Sequence, residues 1–129
     1  PGSPTKTGDD FEVFSRILRS GFRIVYDAAA LSWHRHRRTW QELRRALYGH
    51  GTGVYGFLTR SLLVDREWSV PTIAWGWLRY EQLPALLRSL ARGSGSTPLD
   101  LLCAELRGCL AGPWTYLASR RLLRRRGGM

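Results

Sequence analysis

The spacing of apolar positions changes several times along this chain. Phe11, Phe14, Ile17 and Leu18 fall at i, i+3, i+6 and i+7, which predicts a helix with one buried face, from Thr7 or Asp9 to about Ser20. Gly21 stands where a left-handed glycine would close it. "FRIVY" (22–26) then alternates and is β-branched, predicting a short strand; "DAAA" is a turn and "LSWHR" a second short extended piece. Thr39 and Glu42 make a T-x-x-E box at the start of a helix carrying Trp40, Leu43 and Leu47. Past Trp68 the texture turns aromatic and aliphatic, with Trp75, Trp77 and Tyr80 before Pro84, and "GSGSTP" (93–98) is a connector. A last helix begins near Pro98. It places Leu99, Leu102, Leu106, Leu110, Trp114 and Leu117 on one broad face and ends in Arg120, Arg121 and residues 124–126.

The glycines test two motifs. Gly51, Gly53 and Gly56 spell G-x-G-x-x-G, but a dinucleotide loop needs a strand before it, and here a helix precedes it. Close packing against another segment, or a bend, is the better account. Gly108 and Gly112 form a G-x-x-x-G, which favours close helix approach.

Composition narrows the function classes. The chain has 129 residues, enough for one modest domain, and it starts at Pro1 rather than Met, which predicts a piece of a longer protein. The net charge of +10 is almost all arginine, since Lys6 is the sole lysine, and it favours anionic partners such as nucleotide phosphates or anionic lipid. A nucleic-acid-binding module would need a docking helix pair or an aromatic sheet, and neither is legible. The first ten residues are polar, so no signal peptide is read. The most apolar windows, about 70–90 and 99–117, are broken by Arg79, Glu81, Arg88, Glu105 and Arg107, so no transmembrane span is expected. Cys103 and Cys109 are spaced as neither a metal knuckle nor a redox pair and read as two buried thiols. The helices of the second half, with Trp and Arg at their margins, fit either bundle packing or a membrane interface.

Candidate chemistry lies in the first forty residues. Asp9, Asp10 and Glu12 put three acids at a helix start, more than a cap requires, and such a group can hold a general base. On an extended segment His34 and His36 face one side and Arg35 and Arg37 the other. Two such histidines can bind a metal if a carboxylate joins them, or can be solvated members of a basic stretch.

Taken in order, "SPTKTGDD" (3–10), "FSRILRSGFRIVY" (14–26) and "AALSWHRHRR" (29–38) resemble the C-terminal end of the catalytic domain of family 2 glycosyltransferases, which have the GT-A fold. The likeness covers about Gly2 to Gly56; "AELRGCLAGPWTYLASRR" (104–121) is similar to tails on actinobacterial members. The resemblance implies an α/β fragment: mostly helical, with one or two short strands, at residues 1–56 as the end of a Rossmann-like domain. Residues 57–129 are then a helical C-terminal extension, either packed as a bundle or lying at a membrane interface. It implies an inverting transfer of a sugar from a nucleotide-sugar donor to a glycan or lipid-linked acceptor hydroxyl, in cell-envelope or polysaccharide synthesis. The enzyme would be cytoplasmic and peripheral on the inner face of the cell membrane. Asp10 takes the place of the family's catalytic base, with Asp9 as a supporting acid. His34 falls on the position that can ligate a divalent cation (Mg or Mn), and Arg37 and Arg38 become diphosphate partners. The D-x-D motif that shares the cation is missing, so the fragment alone is expected to be inactive. The turn Asp27-Ala28-Ala29 lacks the proline of many relatives, and Arg45 stands where processive synthases have Trp, so processivity is not inferred. The alternative is a basic helical module at a membrane interface or on nucleic acid, without catalysis.

Overall fold

The computed structural model describes residues 9–33, 37–91 and 96–126. These form α1 (Asp9–Arg19), α2 (Trp40–Leu63), α3 (Val70–Trp77), a π-helical turn (Leu78–Gln82), α4 (Leu83–Leu90) and α5 (Leu99–Arg126). There is no strand among the described residues, so the expected α/β class is corrected to an all-helical one. The reason lies in pairing. Residues 22–27 have neither helix nor turn, in keeping with their β-branched composition, but among the described residues no second extended segment offers them a ladder of hydrogen bonds. Phe22, Val25, Tyr26, Leu31 and Trp33 are consequently all exposed. The remainder of the second extended piece, residues 34–36, lies outside the described residues.

Local signals explain the helix ends. Gly21 has φ +82°, its amide donates to the Leu18 carbonyl at 3.1 Å, and the Phe22 amide donates to the Ile17 carbonyl at 3.2 Å. This bond pair is the Schellman closure that a left-handed glycine permits. At the start of α2 the Glu42 amide donates to Thr39 Oγ1 at 3.2 Å, and Glu42 Oε2 accepts from the amides of Arg38 (3.0 Å) and Thr39 (3.2 Å). Those amides hold the Glu42 carboxyl below its ordinary range. A lowered carboxyl contributes stability above its unfolded pKa and loses it as pH falls through the folded one. The first turn of α2 should therefore fray on acidification below the usual carboxylate range, which amide exchange at Glu42 and Leu43 would register. Thr39→Ala should cost about 1 kcal/mol in a thermal melt.

Two prolines shape the later helices. Pro84 has no N–H for the Tyr80 carbonyl, and its ring crowds it; over Leu78–Gln82 the helix widens, with the Leu83 amide donating to the Leu78 carbonyl. Pro113 lies inside α5, where the helix continues through it.

Helices α2 and α5 lie side by side and parallel. Trp40 Nε1 donates to Asp100 Oδ2 at 2.7 Å, Gly108 lies against the Tyr48 carbonyl, and Gly112 lies against Tyr55 and Gly56. A Cβ on Gly51 would meet the Glu105 carbonyl and lie 2.8 Å from the Cys109 amide nitrogen. The G-x-G-x-x-G run is thus a helical packing surface, as is the G-x-x-x-G. The broad apolar face expected for α5 holds in part: Leu102 is buried and Leu106 and Leu117 are half-buried, but Leu110 and Trp114 are exposed, and the closest approach to α2 is made at Gly108, Cys109 and Gly112. α2 runs unbroken through position 56.

The core is small and mixed: Val70, Leu101, Leu102, Ala104 and Cys109 are buried together with polar residues. Thr52, Ser61, Gln82, Ser89 and Ser119 are buried, whereas Trp68, Tyr80, Leu110 and Trp114 are each at least three-quarters exposed. Several inward hydroxyls return to their own helix: Thr52 to the Tyr48 carbonyl (2.8 Å), Thr115 to that of Ala111 (2.7 Å) and Ser119 to that of Thr115 (2.9 Å). Small residues and self-satisfied hydroxyls allow close backbone approach but bury little apolar area. Apart from Val70, Leu101 and Leu102, many large apolar groups are left on the outside.

Candidate functional site

Helix α1 is fixed against the C-terminal part of α2. Phe11 and Phe57 stack with ring centroids 6.0 Å apart. Glu12 pairs with Arg16 (2.7 Å) and approaches Arg60 (3.8 Å), while Arg60 also meets Asp65 at 2.8 Å. Arg19 bridges Asp65 (3.3 Å) and Glu67 (3.0 Å). Glu12, the third acid of the N-terminal group, is therefore a structural partner. Asp9 opens α1, and Asp10 follows in its first turn, exposed and without a hydrogen bond or ion pair among the described residues. A free carboxylate in that position can accept a proton from an approaching hydroxyl.

Arg37 and Arg38 are exposed and precede the other end of α2. Phe57 anchors the Asp10 end, and Trp40 marks the arginine end. At ~1.5 Å per residue the two groups are on the order of 20 Å or more apart. The expected return of the chain toward Asp10 is not what the fold does: from Arg19, beside Asp65, the chain travels back along the length of α2 to reach Thr39. The structure does not bring Asp10 together with Arg37 and Arg38. His34 lies outside the described residues, and among those described there is no cluster of three or more His, Cys, Asp or Glu suited to a metal.

A second polar group lies where α2, α5 and the π turn meet. His50 Nδ1 lies 2.8 Å from Glu105 Oε1, Gln82 Nε2 donates to Glu105 Oε2 at 2.9 Å, and the buried Gln82 Oε1 has no partner among the described residues. Sequence reasoning missed this group, since its members are 23 to 55 residues apart. The available signal was a lone acid, Glu105, inside the apolar part of α5. The adjacent Cys109 thiol is pushed up to about 12 by burial, with the Glu105 charge adding to the effect. Cys109 is buried as expected, but Cys103 is exposed. Iodoacetamide should therefore label Cys103 in the native protein and reach Cys109 only on unfolding, a contrast that peptide mass mapping would display.

No helix among the described residues is long and apolar enough to cross a membrane. Comparison with family models, curated proteins and solved structures finds no match to this chain.

Proposed function

We propose that this chain serves glycosyl transfer, carrying the acceptor base of an enzyme that moves a sugar from a nucleotide-sugar donor to an acceptor hydroxyl in cell-envelope or polysaccharide synthesis. The observation that carries the reading is the ordered series from "TGDD" through "FRIVY" to "HRHRR", with Asp10 left open to solvent at the start of α1. In this reading Asp10 removes the acceptor proton as the oxygen attacks the anomeric carbon, inverting it, and the nucleoside diphosphate leaves. Asp9 supports the base. Arg37 and Arg38 belong to the donor side, where guanidinium groups can fork onto diphosphate oxygens; since they stand at the opposite end of α2 from Asp10, the reading requires α1 to leave its dock on Phe57 and Asp65 when donor and acceptor are both bound. His34 is the chain's candidate ligand for the divalent cation that would stabilise the leaving diphosphate.

The exposed apolar side chains support a peripheral position at the inner face of the cell membrane. On α5 the exposed residues Arg107, Leu110, Trp114 and Arg121 recur at helical spacing, as do Leu83, Leu87 and Leu90 on α4. Apolar and aromatic groups flanked by arginine suit the headgroup zone of anionic bilayers. In vesicle sedimentation with anionic lipid, Leu110→Ser combined with Trp114→Ser should weaken binding at least about tenfold, since each buried apolar side chain is worth ~1.5–3 kcal/mol. Unchanged sedimentation would contradict the membrane position.

The catalytic part is tested with protein expressed from the complete reading frame, a panel of nucleotide sugars, Mg or Mn, and membrane extract as the acceptor source. Acceptor-dependent release of nucleoside diphosphate is expected. No release from any donor would overturn the reading.

A further inference from the structure

Two sets of arginines in this fold differ in their partners. Arg19 and Arg60 are engaged in ion pairs that tie α1 to α2 and the residues just after it, and Arg16 is engaged in one within α1. Arg44, Arg45 and Arg107 have no such partner among the described residues, yet they converge on one cleft of about 600 Å3 between the N-terminal halves of α2 and α5. Tyr48 completes the α2 wall; Asp100, Cys103 and Ala104 complete the α5 wall. Because the two helices run parallel, with Trp40 beside Asp100 and Tyr48 beside Gly108, Arg44 comes level with Cys103 and Ala104, and Tyr48 with Arg107.

The charge balance selects the ligand. Three guanidinium groups face one carboxylate, that of Asp100, which already accepts the Trp40 indole N–H at 2.7 Å. Parallel alignment also brings the positive ends of both helix dipoles to this end of the pair, offset in part by Glu42 and Asp100 in the first turns. The excess of about two positive charges matches a phosphate dianion. Guanidinium forks and the Tyr48 hydroxyl supply donors to its oxygens. The volume lies within the usual range for small-ligand sites, about 300–1,000 Å3, and exceeds what one phosphate fills.

We propose that the cleft formed by Arg44, Arg45, Tyr48 and Arg107 binds a phosphate-bearing ligand, either a free diphosphate or the headgroup of an anionic phospholipid. The site is separate from Asp10 and stands whether or not the chain serves sugar transfer. Calorimetric titration of the chain with inorganic pyrophosphate, and in parallel with short-chain phosphatidate below its micellar concentration, tests it. Saturable binding is expected at about 0.1 M salt. Arg44→Gln with Arg107→Gln should lower affinity at least about tenfold, and Tyr48→Phe by a smaller factor. Arg124→Gln with Arg125→Gln, an equal loss of charge at the far end of α5, should change it less than about twofold. Asp10→Asn should leave binding unaltered, which separates failure here from failure of the transfer reading. Tighter binding of phosphatidate than of pyrophosphate identifies the lipid source, and the reverse order the free diphosphate. Absence of saturable binding to both probes, a cleft variant that binds like the parent, or a tail variant that loses as much as the cleft variant overturns the proposal. Melting curves of all variants check folding, and Tyr48→Phe, which removes one hydroxyl, decides the matter should the double arginine variant not fold.

Discussion

Gly108→Ala is expected to destabilise the protein by about 2 kcal/mol, or roughly 10 °C in Tm. Two effects compete. Alanine is the better helix former by about 1 kcal/mol, which favours the variant. Against this, the new Cβ would collide with the Tyr48 carbonyl oxygen and lie 3.0 Å from the Thr52 amide nitrogen. Both are backbone atoms of α2, so no side chain can swing away, and the helices must part. Parting them also loosens the neighbouring contacts at Gly112, where a Cβ would lie 2.8 Å from the Gly56 nitrogen, and at Gly51. The steric cost therefore exceeds the propensity gain. Gly76 in α3 provides the control, because a Cβ there meets nothing within 4 Å. Gly76→Ala should raise stability by about 0.5–1 kcal/mol. Thermal melts followed by circular dichroism check both signs. A Gly108→Ala protein that melts at or above the parent would show that the α2–α5 approach is looser than described.

The contrast between these glycines shows what the sequence carries. Signals confined to a few neighbouring residues were legible. Thr39 and Glu42 cap α2 through their own side chains, and Gly21 closes α1 through its own φ. The spacing of Gly51, Gly53 and Gly56, with a helix before them, was enough to exclude a nucleotide loop. Features that depend on a distant partner were not legible. "FRIVY" has strand-forming residues, but a strand is a relation between two segments, and the second is lacking among the described residues. The outward placement of Leu110 and Trp114 follows from glycine contacts between helices that are about sixty residues apart in sequence. Hydrophobicity alone assigned those two side chains to the inside. At the site, Asp10 was legible as an acid in excess of capping needs. Its distance from Arg37 and Arg38 was not, because the docking of Phe11 on Phe57 and the Arg19–Asp65 pair decide it. The three arginines of the cleft have no motif, since Arg107 reaches Arg44 and Arg45 only through the parallel register.

Under the proposed transfer function, Asp10→Asn should reduce the rate of sugar transfer by about 10²–10⁴-fold, the usual contribution of a positioned general base. Asparagine keeps the size and polarity of the side chain but cannot accept the acceptor's proton. The substitution should be well tolerated by the fold: Asp10 is exposed and unpaired among the described residues, and losing one negative charge at the start of α1 costs at most about 1 kcal/mol. Donor affinity should stay within about twofold, because the base acts on the acceptor and not on the nucleotide. The decisive measurement is the transfer rate and the donor Kd of parent and Asp10→Asn enzymes, both expressed from the complete reading frame and assayed side by side. Sugar transfer with Asp10 as base predicts a variant that binds donor normally and turns over at a hundredth of the parent rate or less. A variant that transfers sugar at the parent rate would contradict it.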